Sequence, residues 1–237
     1  MTTRSRQAVK PRPRVRRGSE EDAERLRSDL LDAAMQLFAE GGIEGVSVRA
    51  IAAKLGISPM AMYRYFADKT ELLRGLWQFV NAELLEWLKA AVAGKRGGRT
   101  QQRAVFEAFL GYWEEHPQHF WLVYLTQGSM RPRPDKSPAS QNPVYAEILA
   151  LMRRATEGLA AQIGADTTWV KLSDDIAFAM LLGYLQSAFV NQRYPWTDRA
   201  QLRAAFINQL IAAKESCLLH GLAMPPLPAK STTPRRR

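Results

Sequence analysis

Residues 47–66 read SVRAIAAKLGISPMAMYRYF, and the spacing of their apolar members decides the fold. Val48, Ile51, Ala52 and Leu55 recur at i, i+3, i+4 and i+7, which lays one apolar stripe along a single helical face. Ser47, just ahead of that stripe, offers a hydroxyl to the N–H groups a helix start leaves unpaired. Gly56, just behind it, tolerates the positive φ with which a helix stops and turns. Ile57 plugs the turn. Ser58 and Pro59 then open a second helix, because the N–H that proline lacks is one a helix start leaves unpaired anyway. On that helix Met62 and Phe66 are four apart and face inward, while Met60, Ala61, Arg64 and Tyr65 project and Tyr63 lies at the flank. Two short helices, a tight turn and an outer face mixing aromatic, cationic and small residues form the helix-turn-helix arrangement that enters the DNA major groove. A plain surface hairpin is the competing reading, and the agreement of both caps, the turn and the apolar spacing speaks against it.

Working outward, residues 20–40 carry Leu26, Leu30, Ala33, Ala34, Leu37 and Phe38 on one helical face, with Glu20, Glu21 and Asp22 matching the positive end of the dipole. Gly41 and Gly42 end this helix, and Ile43 and Val46 fold back as plugs of a three-helix core. On the other side Asp68 and Glu71 have capping-box spacing, and the helix they open runs on through Leu72, Leu76, Val80, Leu84, Leu88 and Val92. At ~1.5 Å rise per residue it spans roughly 35 to 38 Å, enough to tie a DNA-reading head to a separate body. Lys69 stands in its first turn, where a cation is unfavourable with the dipole; a DNA phosphate gives its placement a reason.

The block from Leu30 to Leu73, through LLDAAMQLFAEGGIEGVSV, RAIAAKLGIS and MYRYFADKTELL, resembles the DNA-binding domain of the tetracycline-repressor (TetR) family of one-component regulators. The resemblance covers the N-terminal third; the remainder matches in helical texture and length. It implies that Ser47, Tyr63, Tyr65 and Lys69 contact DNA phosphates, with Arg49 in the same DNA-binding set, and that Pro59, Met60, Ala61 and Arg64 lie on the base-reading helix. Tyr65 stands where a histidine is common in the family. The mechanism implied is a dimer on a near-palindromic operator, with a small molecule in the body respacing the heads; the sign of regulation expected is repression.

Composition bounds the same answer independently. A chain of 237 residues can bury a sizeable core. Its net charge of +10 is concentrated at the ends: residues 1–17 hold seven Lys or Arg and residues 230–237 four more, leaving 22 basic against 23 acidic residues between them. The expected organisation is therefore a disordered basic arm over 1–19, a helix-turn-helix domain over 20–67, a helical regulatory and dimerisation domain over 68–222, and a disordered Pro-rich basic tail over 223–237. The arm either lies along the adjacent minor groove or is a solvated tail. One cysteine, Cys217, excludes an internal disulfide and suits a reducing cytoplasm. No signal peptide precedes the fold, and the most apolar stretch, 176–190, is shorter than the ~20 residues a membrane span needs.

In the body, aromatic residues concentrate between 105 and 125, and a Pro-rich loop over 128–143 follows. A pocket between helices needs apolar walls and a few polar groups. Trp77, Phe109, Tyr112, Trp113, Trp121 and Tyr124 are the candidate walls, with Gln127 and Gln186 as polar partners and a largely apolar guest. Residues 168–192 are apolar nearly all round, so a second subunit is the simplest cover for one side. Tyr184, Leu185, Ala188, Phe189, Phe206 and Leu210 are the candidate dimer contacts. Catalysis finds little support: His116 and His119 lack a third metal ligand at workable spacing, Asp174 and Asp175 read as cap and dipole partners, and no cofactor motif appears. The expectation is an all-α, two-part homodimer that is not an enzyme; the alternatives are a DNA-binding regulator gated by a protein partner or by no ligand, and a helical ligand-binding or enzymatic domain with an incidental helix-turn-helix, which would show no sequence preference on DNA.

Overall fold

The computed structural model describes residues 20–125 and 142–221; the expected arm, most of the Pro-rich loop, Gln127 and the basic tail lie outside them. The regular structure of the described residues is helical, and they fall in two compact units that part between Leu72 and Leu73.

In the first unit, α1 (Glu20–Gly45) loses helical dihedrals at Gly41 and at Gly42, where φ is 64°. Only glycine adopts that conformation without strain, so the chain turns there and brings Val46 into the core. α2 (Val48–Leu55) is capped by Ser47, whose Oγ accepts from the N–H of Ala50 at 3.1 Å, and stops at Gly56 with φ 65°. α3 (Pro59–Met62) is capped in the same way by Ser58, which accepts from Ala61 at 3.2 Å. The second helix is shorter than its sequence suggests: beyond Met62 the chain tightens into i→i−3 bonds, Arg64 N to Ala61 O and Tyr65 N to Met62 O, before Phe66 N returns to Met62 O. The apolar stripes meet in one core of Leu30, Ala34, Phe38, Val46, Ile51, Met62, Phe66 and Leu72, none more than 6% exposed.

α4 (Lys69–Val92) opens on the capping box. Asp68 Oδ1 accepts from Glu71 N at 2.8 Å, and Glu71 Oε2 reaches the N–H of Ala67, one residue before the cap, at 2.6 Å. In the second unit α5 (Gly98–Glu115) is followed by the short α6 (Pro117–Phe120) and a π-helical turn (Trp121–Leu125). The remaining helices are α7 (Pro143–Ile163), α8 (Val170–Val190) and α9 (Arg199–His220). The α5–α7 crossing is the most extensive helix pairing among the described residues. It is close because both helices carry glycine there: a methyl on Gly98 would stand 2.2 Å from the carbonyl of Gly158.

Asp174 does not cap α8. It lies one turn in, and its Oδ1 accepts from the Lys214 ammonium on α9 and the Thr156 hydroxyl on α7, each at 2.6 Å. The sequence reading failed because Lys214 is 40 positions away and sits on the inward side of α9, only 3% exposed.

Candidate nucleic-acid interface

Each expected DNA-contacting residue falls in the first unit. Met60 is 74% exposed and Tyr63 52%; Ser47, Arg49, Pro59, Arg64 and Lys69 are exposed as well, and Ala61 and Tyr65 are half-buried. An exposed methionine next to an exposed tyrosine and arginine is costly surface for a small core to leave uncovered, and it is held in place by Met62 and Phe66, both buried on the opposite side. Ser47 uses a lone pair for its cap, which leaves its hydroxyl proton free to donate to a phosphate. Lys69 Nζ donates to the backbone carbonyl of Ile43 at 3.0 Å. That contact fixes the ammonium on the α1–α2 connection and leaves further N–H donors for an anion.

The pocket candidates are placed differently. Phe109, Tyr112 and Trp113 are buried against one another, with Trp113 at 5.0 Å from the Tyr112 ring, 6.0 Å from Phe109 and 5.3 Å from Tyr124. Trp77 packs on Tyr145 at 5.4 Å. Trp121 is 39% exposed and lines a surface depression with Val190 and Tyr194. Gln186 is exposed because its neighbour Leu185 takes the inward position on α8, so it is not a partner of the buried aromatics. A groove of about 670 Å³ lies elsewhere, between α8, α9 and α5; it is lined by Tyr184, Phe189, Trp196 and Phe206, with Arg103, Arg199 and Arg203 at its rim, and by none of the pocket candidates.

Of the candidate dimer contacts, Leu185 and Leu210 are 0% and 1% exposed within the protomer and belong to its own core. The exposed residues of α8 are instead Lys171, Asp175, Ile176, Ala179, Gly183, Gln186 and Val190, with the apolar ones and Gln186 spaced at helical intervals. Tyr184 stacks on Phe206 at 4.6 Å, half-buried in the groove with Ala188 and Phe189.

The phenol of Tyr112 lies 2.9 Å from Nδ1 of His119, 3.2 Å from a Glu83 carboxylate oxygen and 3.1 Å from the carbonyl of Val80. Burial, with the Glu83 charge, pushes the Tyr112 phenol far above its ordinary range. Burial also lowers His119 from 6.5 to about 4, helped by His116, so the ring is neutral and its 3.6 Å approach to Glu83 is not an ion pair. Among the described residues no group of three His, Cys, Asp or Glu could hold a metal ion, and no helix is long and apolar enough to cross a membrane.

Residues 30–76 match the family described as "Bacterial regulatory proteins, tetR family". Among curated relatives, the chain is 28% identical over 123 residues to the HTH-type transcriptional activator FasR of Mycolicibacterium smegmatis, a match covering 52% of this chain and 56% of that protein. It is 31% identical over 124 residues to the HTH-type transcriptional repressor DrrR1 of Streptomyces coeruleorubidus, covering 52% and 42%. The chain thus spans about half the length of these relatives. A TetR family transcription regulator from Marinobacter aquaeolei VT8 shares the fold, with a TM-score of 0.61 at 20% identity over 81% of this chain and 97% of that one. Residues 30–76, the segment that holds the capped two-helix reader, thus carry a DNA-binding domain of the TetR type, and the chain as a whole shares the fold of a TetR family regulator.

Proposed function

We propose that this protein is a transcriptional repressor that binds a near-palindromic DNA operator as a homodimer and is released by a small, largely apolar effector. The observation that carries the DNA-binding part is the exposed Met60, Tyr63 and Arg64 set on a segment whose other side, Met62 and Phe66, is buried. Ser47, Arg49, Tyr63, Tyr65 and Lys69 position the head on phosphates, and Pro59, Met60, Ala61 and Arg64 face the base edges. A dimer places two such heads about one helical turn apart, ~34 Å. Its interface is the outer face of α8 with α9, where Ile176, Val190 and Leu219 are 40%, 51% and 49% exposed. The protein works in the cytoplasm, where its DNA is, and needs no cofactor.

Binding-site selection with purified protein tests the reading: a two-fold symmetric site is expected, and absence of any sequence preference overturns it. Arg64→Ala should relax preference at one position in each half-site by about 1–3 kcal/mol. The dimer has its own test. A Cβ on Gly183 meets nothing within 4 Å, so Gly183→Arg leaves the protomer folded and should convert dimer to monomer in sedimentation. A charge at Leu185 would instead unfold the protomer, because that side chain is in its core.

A second reading, regulation through a protein partner or without any ligand, is favoured by one observation: the aromatic side chains expected to wall a pocket fill space against one another. Titration of intrinsic tryptophan fluorescence with apolar aromatic compounds separates the two. Saturable quenching accompanied by loss of operator binding supports the effector, and its absence supports the second reading.

A further inference from the structure

Two arginines stand two positions apart on α1 and are held in different ways. Arg25 lies 3.9 Å from Glu21 and 3.7 Å from Asp22, so its charge is met by carboxylates of its own helix. Arg27 has no carboxylate partner among the described residues. Its neighbours at helical spacing are Ala23, Glu24, Leu30 and Leu31, and Glu24 forms no ion pair with it. Its guanidinium instead rests 5.1 Å from the centroid of the Phe66 ring. A cation–π contact fixes where the charge sits without neutralising it. A ring offers the guanidinium no hydrogen-bond acceptor in its plane, so N–H groups that match a phosphate remain available.

Phe66 is not an arbitrary platform. It is 1% exposed and closes the segment that begins at Pro59, its N–H bonded to the carbonyl of Met62 at 3.0 Å. Tyr63 and Lys69 stand three residues to either side of it, and both are exposed. Arg27 is therefore a positive charge mounted on the end of the reading segment, half-buried and pre-set, while Glu21 and Asp22 lie against Arg25.

We propose that Arg27 is a further DNA contact: a phosphate-binding residue supplied by α1, positioned by Phe66 and additional to those of the helix-turn-helix. The inference rests on the DNA-binding reading of the head. A phosphate contact carries no sequence information, so it acts on operator and random duplex alike and appears in the salt dependence of binding. Each neutralised phosphate contributes about 0.9 to the slope of log K against log salt.

The experiment is a fluorescence-anisotropy titration of the full-length protein and the variants Arg27→Ala, Arg27→Lys and Arg25→Ala, on the selected operator and on a random duplex, at several KCl concentrations. Arg27→Ala is expected to weaken both duplexes by on the order of ten-fold at low salt and to lower the salt slope by about one unit. Arg27→Lys should retain the slope, because the charge remains, and Arg25→Ala should match the parent in both quantities. If Arg27 only covers Phe66, the alanine variant loses thermal stability while its slope stays that of the parent, and the proposal falls. A parent slope in Arg27→Ala with intact parent binding overturns this inference alone. Failure of the parent protein to bind either duplex overturns the reading of the head together with it.

Discussion

The two units bury different chemistry. Among the described residues every fully buried side chain of the head is apolar, and its helix starts are held by local caps: Ser47 to Ala50, Ser58 to Ala61, Asp68 to Glu71, each three residues apart, while its longer-range bonds, Lys54 to Glu40 and Lys69 to the Ile43 carbonyl, lie at the surface. The body buries Asn81, Gln102, His119, Thr156, Ser173 and Lys214, and its polar bonds cross the fold. Thr156 Oγ1 meets Asp174 at 2.6 Å and Gln102 at 3.2 Å, and Lys214 meets Asp174 at 2.6 Å, so α5, α7, α8 and α9 converge on one polar chain. A threonine hydroxyl has one proton. It goes to the Asp174 carboxylate, the shorter and charged partner, which requires the Gln102 amide to present its NH2 rather than its oxygen to Thr156. The head thus gains its uniqueness from helix ends, the body from a buried network that fits only one mutual placement of four helices. All six tryptophans lie in the body, so tryptophan fluorescence reports its unfolding alone and far-ultraviolet circular dichroism that of both units.

The largest expected effect breaks that network. Lys214→Met leaves Asp174 short of its cation; burial already draws the Lys214 pKa below its ordinary value, with Asp174 opposing. Loss of one partner of a buried pair costs about 3 kcal/mol or more, and the tryptophan-detected denaturation midpoint should fall accordingly while the head's transition stays in place. Adding Asp174→Leu to Lys214→Met should recover most of the loss, since two apolar residues desolvate no charge. A double variant as unstable as the single one would show that the pair contributes by packing rather than by charge.

Next comes the α5–α7 crossing. Gly98→Ala forces a methyl to 2.2 Å from the Gly158 carbonyl, whereas Gly158→Ala places its methyl 3.6 Å from the Gly98 Cα, an ordinary contact. The first should cost about 1–3 kcal/mol as overpacking against backbone, and the second well under 1 kcal/mol. Equal effects would contradict the asymmetry of the crossing.

Acid should weaken the body through His119. Its folded pKa, about 4, lies below the 6.5 of an unperturbed ring. The unfolded chain therefore takes up a proton near pH 6.5 and the folded one only near pH 4, so stability is full above that window and falls as pH drops through it. At about 1.4 kcal/mol per unit the loss reaches at most ~3.5 kcal/mol. His119→Gln, which keeps an acceptor for the Tyr112 hydroxyl, should flatten the pH dependence of the denaturation midpoint between pH 4 and 6.5.

The contrast explains what could be read from the chain. Caps and stripes act over three or four residues, so the head's helices, the glycine turns and the inward Met62 and Phe66 were visible in residues 47–66. The shortening of α3 beyond Met62 was not, since the same residues suit an α-helix and a tighter turn. In the body the polar partners lie 18, 40 and 54 positions apart, and no local pattern marks Asp174 as anything but a helix-start acid. The apolar periodicity of α8 is nearly all round, so it could not say that Leu185 faces the protomer while Ile176 and Gly183 face outward. Aromatic density between 105 and 125 likewise marks a cluster without telling a lined pocket from a filled one.

The smallest expected effect on folding separates structure from DNA contact within a single side chain of the head. Ser47 accepts from Ala50 and is exposed. Ser47→Ala removes the cap and should cost about 1 kcal/mol in the head's circular-dichroism transition, with no change in tryptophan fluorescence. Ser47→Asp keeps an equally good cap acceptor and favourably places a carboxylate at the positive end of α2, so folding should change by less than about 0.5 kcal/mol. Yet aspartate has no proton to give a phosphate and repels it. Affinity for operator and random duplex should therefore fall together in Ser47→Asp, by more than in Ser47→Ala. If Ser47→Asp bound both duplexes as the parent protein does, Ser47 would be a cap and nothing more, and the phosphate contacts would fall to Arg49, Tyr63, Tyr65 and Lys69 alone.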